Sequence, residues 1–182
     1  MGYSSIAQAG YILLAFAGTP DMTRAAVVYY LFLYAAANFS MFFIIAIVGA
    51  TRGELIPSLR GLSREHPGLA ALLATALFAL AGIPPTAGFT GKFMLFGAAA
   101  ETGHYNFVIF AALNTTVSLY YYLLVMREAY ITPAPEPALP ALQPDRTRLA
   151  ILFLLFAATM ALGLWPGLCG IIQHVATASV IR

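Results

Sequence analysis

Gly82-Ile-Pro-Pro-Thr-Ala-Gly-Phe-Thr-Gly-Lys92-Phe-Met-Leu-Phe96 decides how this chain folds. The stretch lies inside an apolar run from about Leu69 to Ala100, yet two prolines and three glycines interrupt it. Read as one helix at 1.5 Å per residue, that run would reach about 48 Å, against a bilayer core of about 30 Å. Pro84 and Pro85 lack amide donors and disfavour helical geometry in the residue before each. A break there divides the run into two half-helices. Freed backbone groups cannot face lipid, so broken helices in membranes line polar pathways. Just beyond the break stands Lys92, the only lysine in the chain. A lysine near the bilayer centre costs roughly 2.5 to 3.5 kcal/mol on insertion scales.

Working outward, composition sets the class. Of 182 residues, 61% are hydrophobic and only 9% charged, and the mean hydropathy is +0.84. Soluble domains carry about 25% charged residues, so the expectation is an all-α, polytopic membrane protein, residues 1–182 forming one membrane domain. It should have about five transmembrane helices, the third broken at Gly82–Pro85. A net charge of +2 without a basic run gives no footprint for nucleic acid. The single cysteine, Cys169, excludes an intramolecular disulfide and a cysteine-based metal or iron–sulfur site. No nucleotide-binding glycine motif, Ser–His–Asp arrangement, haem or flavin signature is present, so no cofactor or metal is expected on this chain. The N-terminus lacks a basic region and a small-residue cleavage site, so no cleavable signal is visible. Met1-Gly-Tyr-Ser-Ser reads as the inside of a helix rather than its start.

The expected helices lie at about 4–18, 25–50, 68–100 (broken near 84), 105–127 and 148–165, with an interfacial helix at about 168–180. Thr19-Pro20-Asp21-Met-Thr-Arg24 is a turn with helix-start chemistry. In the second helix Tyr30, Tyr34 and Asn38 follow at i, i+4 and i+8 and so form one polar stripe. It serves either to bond a neighbouring helix or to line a water path. The fourth helix carries Asn114, Thr115, Thr116 and Ser118, then Tyr120-Tyr121-Tyr122, of which at least one should point inward; Tyr121 is a candidate. Thr132 to Pro144 reads as an extended, proline-rich loop.

Arginine counting gives an orientation. One side collects Arg52, Arg60, Arg64, Arg127, Arg146 and Arg148, against Arg24 and Arg182 opposite. The positive-inside rule makes the rich side cytoplasmic. The N-terminus of this segment then lies in the cytoplasm, and the C-terminus on the outer side of the plasma membrane.

Lys92 is the principal candidate for chemistry. On a helix it shares a face with Gly88, Leu95 and Ala99, and Gly88 and Gly91 flank it with small surfaces. Burial disfavours its charged form, as does the positive end of a half-helix beginning after Pro85. A lysine so placed can alternate between charged and neutral, as a proton relay requires; otherwise it is a structural cation that snorkels or pairs. No carboxylate lies in the apolar part of any segment. A partner within the chain would therefore be a tyrosine, serine, threonine or asparagine, or a carboxylate at a helix end. Glu101 could exchange protons at the surface. His66 and His104 read as loop residues, His174 has no second ligand at metal spacing, and Glu128 should pair with Arg127.

Three ordered motifs then suggest a family: Tyr3-Ser-Ser-Ile-Ala-Gln-Ala-Gly-Tyr11, Leu80-Ala-Gly-Ile-Pro-Pro-Thr-Ala-Gly-Phe-Thr-Gly-Lys-Phe-Met-Leu-Phe96 and Leu113-Asn-Thr-Thr-Val-Ser-Leu-Tyr-Tyr-Tyr-Leu123. Together they resemble subunit N of respiratory complex I, the smallest antiporter-like subunit of the proton-pumping NADH–quinone oxidoreductase. The likeness covers nearly the whole chain and corresponds to the last five helices of the family. The M-type sister subunit has a glutamate where Lys92 stands, and the L-type resembles Pro-Pro-x-x-Gly-Phe followed by Lys-Asp. The resemblance implies that Lys92 relays protons in the half-channel toward the outer side. It implies other complex I membrane subunits as partners, with NADH and quinone used elsewhere in the complex. The preceding helices, with their own broken helix and membrane lysines, are absent here, so a separate N-terminal half is a further expected partner. The alternatives are a subunit of a multi-subunit cation/proton antiporter and a purely structural half.

Overall fold

The computed structural model describes residues 1–133, 135, 140–142 and 145–164. Trp165-Pro166-Gly167, the helix expected at 168–180, Cys169, His174 and Arg182 lie outside them, as does most of the proline-rich loop. Among the described residues every regular element is helical.

Helix α1 spans Gly2–Ala15 and buries Ser4, Gln8, Tyr11 and Ala15, spaced i, i+4, i+7 and i+11 along one face. Helix α2 spans Pro20–Arg52, 33 residues, or about 50 Å. It begins five residues earlier than the apolar run suggested, because proline is tolerated at the first helical position, and Thr19 before it is extended at φ −66° and ψ 149°. The connection that follows contains a 3₁₀ turn at Ile56–Leu59 and one α-helical turn, α3, at Leu62–Glu65.

The long third segment divides into α4, Pro67–Ala81, and α5, Ala87–Glu101. Gly82 ends α4 at φ +81°, a left-handed conformation that favours glycine. The amides of Gly82 and Ile83 both return to the Phe78 carbonyl, at 2.8 and 3.0 Å. The Pro84–Pro85 peptide is cis, and Thr86 closes the turn by donating its hydroxyl to the Ile83 carbonyl at 2.7 Å. Helices α6, Tyr105–Tyr130, and α7, Arg146–Leu164, complete the bundle. Of these, α2, α6 and α7 are each long and apolar enough to cross a bilayer.

Helix α2 is the spine. Its first half packs with α1 and α5 through Ala26, Tyr29, Tyr30 and Leu33. Its second half packs with α4 and α6 through Ala37, Met41, Ile44 and Val48. Large apolar side chains face outward, among them Phe32, Phe39, Phe93, Phe110 and Leu154, each exposed by more than 60%. In water such a surface would aggregate; in a bilayer it meets acyl chains.

The two ends are chemically different. At one, Arg52 pairs with Glu65 and donates to the Pro140 carbonyl at 2.7 Å. Arg60 and Arg127 both bond Glu128 there, at 2.7 and 3.0 Å. At the other end Thr19 donates to Glu101 at 3.2 Å and Thr102 to the Ala17 carbonyl at 2.7 Å.

Candidate functional site

Lys92 lies in the second turn of α5, 4% exposed, on the buried face it shares with Gly88, Leu95 and Ala99. Gly88 and Gly91 are both buried on this helix. The ammonium turns back across the break and donates to the carbonyls of Leu80 and Ala81, at 3.0 and 2.9 Å. It also sits 4.8 Å from the centre of the Tyr11 ring, within cation–π range. None of the ion pairs among the described residues includes it.

Of the side-chain types expected as partners, a tyrosine, Tyr11, meets the lysine through its ring, while the hydrogen-bond acceptors are backbone carbonyls. The physical reason is the break itself. A helix end leaves its last carbonyls without intrahelical donors, and the closing turn at Gly82 recruits only the earlier ones. Those of Leu80 and Ala81 remain as acceptors at the negative end of α4.

A second buried polar group meets the same carbonyl. Gln8 of α1, 1% exposed, donates through Nε2 to the Leu80 carbonyl at 3.0 Å and to the Tyr122 hydroxyl at 3.2 Å. Its Oε1 accepts from the Tyr30 hydroxyl. Tyr122 bonds Ser4 at 2.5 Å, and Tyr34 donates to Ser5 at 3.2 Å. On the other side of Lys92, Asn114 and Thr115 both donate to the Tyr11 hydroxyl, at 3.0 and 3.1 Å. A cavity of about 930 Å³ opens between α1 and α6, and Ser4, Tyr11, Asn114, Ser118, Tyr121 and Tyr122 contribute to its mostly apolar wall.

The structure thus brings Lys92, Tyr30 and Asn114 into one polar row. Tyr34 reaches α1 through Ser5, while half-buried Asn38 has no side-chain hydrogen bond among the described residues. Ser118 is buried in the cavity wall. Pro84 and Pro85 lie in the short connection between α4 and α5. Of the three consecutive tyrosines, Tyr122 enters the network. Tyr120 is 67% exposed, and the buried Tyr121 hydroxyl has no hydrogen-bond partner among the described residues, its ring packing edge-on to Tyr122 at 4.6 Å. Helical phase explains this, because Asn114, Ser118 and Tyr122 follow at i, i+4 and i+8. Gln8, Tyr11, Ser4 and Tyr122 are the site residues that sequence reasoning missed. Among the described residues no three potential metal ligands cluster.

Tyr122→Phe is expected to cost about 1 to 3 kcal/mol, because it takes an acceptor from buried Gln8 and a partner from Ser4. Tyr121→Phe removes only an unpartnered hydroxyl and should be close to neutral. Thermal unfolding of the detergent-solubilised protein compares the two.

An all-helical bundle with apolar flanks, a spanning helix broken at its middle and a buried lysine at the break defines a multi-pass membrane protein of the discontinuous-helix class. Residues 1–118 match the family described as "NADH:quinone oxidoreductase/Mrp antiporter, TM", and the chain belongs to that family. It is 40% identical over 167 residues to NADH-quinone oxidoreductase subunit N 2 of Syntrophobacter fumaroxidans, covering 91% of this chain and 35% of that protein. It is 46% identical over 140 residues to NADH-quinone oxidoreductase subunit N of Phocaeicola vulgatus, covering 75% of this chain and 29% of that one. The chain thus spans about a third of the length of these relatives. Among solved structures, a chain of respiratory complex I from Thermus thermophilus matches with a TM-score of 0.70 and 30% identity, covering 91% of this chain and 37% of its own. A chain of the Mrp complex from Dietzia sp. DQ12-45-1b shares the fold, with a TM-score of 0.80 and 22% identity over 95% of this chain and 40% of its own.

Proposed function

We propose that this chain is the C-terminal part of a proton-translocating, antiporter-like membrane subunit of NADH–quinone oxidoreductase, and that Lys92 is its proton relay. The carrying observation is a sole lysine, buried at a helix break, whose hydrogen bonds among the described residues go to backbone carbonyls. A structural cation in lipid is ordinarily neutralised by a carboxylate. Lys92 has instead a site that offers its ammonium two backbone carbonyl acceptors and no counter-charge among the described residues. The likeness to subunit N relatives supports complex I over a cation/proton antiporter, for which the Mrp structure offers a likeness of fold.

On this reading NADH oxidation and quinone reduction take place in other subunits, and this chain binds neither. Its partners are the lipid bilayer, the other membrane subunits and the helices that precede residue 1 in the relatives, supplied by the same or a separate chain. The arginine-rich end, where Arg52, Arg60 and Arg127 gather, faces the cytoplasm, and the Glu101 end faces outward. The protein then resides in the plasma membrane, with Glu101 exchanging protons near the outer surface.

Lys92→Arg separates a relay from a structural cation. Arginine keeps the charge and the capacity to bond carbonyls but does not release its proton. Proton transport by the assembled complex is expected to fall with Lys92→Arg while quinone reduction continues; full transport would mark a structural cation.

A further inference from the structure

The sequence motif Tyr3–Tyr11 contains one residue that the lysine relay leaves without a role, Gln8. It is the one amide side chain in α1, and it is 1% exposed. Each of its polar atoms is used: Oε1 accepts from Tyr30 on α2, and Nε2 donates to Tyr122 on α6 and to the Leu80 carbonyl at the end of α4. The Leu80 carbonyl is also one of the two acceptors of the Lys92 ammonium, at 3.0 Å. One carbonyl oxygen therefore receives both the Gln8 amide and the lysine.

We propose that Gln8 is the positioning residue of the Lys92 site, fixing the Leu80 carbonyl that docks the ammonium and tying it to α1, α2 and α6. The inference rests on the relay reading of Lys92. Its physical content is a shared acceptor. Two donors on one oxygen hold that oxygen in place, and each perturbs the bond the other makes. An amide suits the task, since it donates and accepts at once yet carries no charge of its own at any working pH. It also ends the hydroxyl pair Tyr122–Ser4 without extending a proton-exchanging group to Lys92. A shift of α1 or α6 would move the Gln8 amide, and through Leu80 the lysine.

The test uses the assembled quinone-reductase complex in proteoliposomes, reading protons moved per quinone reduced, quinone-reduction rate and the amount of complex. Gln8→Leu fills a similar volume without donors or acceptor; Gln8→His restores one donor and is the rescue variant. The expected result is that Gln8→Leu loses the same share of proton transport as Lys92→Ala at an undiminished quinone-reduction rate. Gln8→His should recover part of that share, and Gln8→Leu should add no further loss in a Lys92→Ala background. A merely structural role would lower the amount of complex and both activities in proportion, with losses that add in the double variant. That pattern, or an unchanged ratio in Gln8→Leu, overturns the inference while leaving the relay intact. If Lys92→Ala itself leaves the ratio unchanged, it is the relay reading that fails.

Discussion

Gly88→Ala is expected to destabilise the protein by about 3 kcal/mol, the upper end of ordinary overpacking, and to lower the yield of folded protein sharply. A methyl group at Gly88 would fall on the Ala79 carbonyl oxygen, 2.7 Å from its carbon and 3.1 Å from the Ala79 Cα. These are backbone atoms of α4, so no rotamer change relieves the contact. The halves would have to separate, and Lys92, one turn along, would be drawn away from the Leu80 and Ala81 carbonyls it bonds across the break. Gly97 on the same helix is the control, because a methyl there meets nothing within 4 Å. Gly97→Ala should gain the helix propensity that glycine lacks, roughly 0.5 to 1 kcal/mol. Thermal unfolding of the two variants in detergent reads the difference directly. Equal stability would mean that α4 and α5 do not cross at Gly88.

The break and its lysine were legible in the sequence because both violate strong rules: an apolar run too long for one span, and a cation where lipid penalises charge. The partners of Lys92 were not legible, since backbone carbonyls have no side-chain signature. Only the reasoning that a terminated helix frees its last carbonyls, one turn before Gly82, could have found them. Gln8 was hidden for a different reason. A single amide in a short apolar helix does not by itself say what it faces. Ser4, Gln8 and Tyr11 on one face were the available signal, as were Asn114, Ser118 and Tyr122 on another; the stripe argument applied to Tyr30, Tyr34 and Asn38 extends to both. The start of α2 lies in the helix-start chemistry of Thr19-Pro20, Pro20 being its first residue, whereas the apolar run itself begins only at Ala25.

Lys92→Ala carries the largest functional effect expected. The substitution removes the one ammonium at the break and leaves the Leu80 carbonyl to Gln8 and the Ala81 carbonyl without its side-chain donor. Alanine is a good helix former, and the surrounding core of Leu95, Ala98 and Ala99 is apolar, so assembly should survive. On the proposed relay reading, what is lost is the group that takes and gives the proton. Removing a positioned acid–base group typically lowers a proton-transfer step by about 100-fold or more. Transport through this route should therefore cease on the timescale of turnover. The decisive measurement is the ratio of protons moved to quinone reduced, taken on the assembled complex in sealed proteoliposomes with wild-type chain and with Lys92→Ala. A lower ratio at a retained quinone-reduction rate is the predicted result; an unchanged ratio would contradict the assignment of Lys92 as the proton relay.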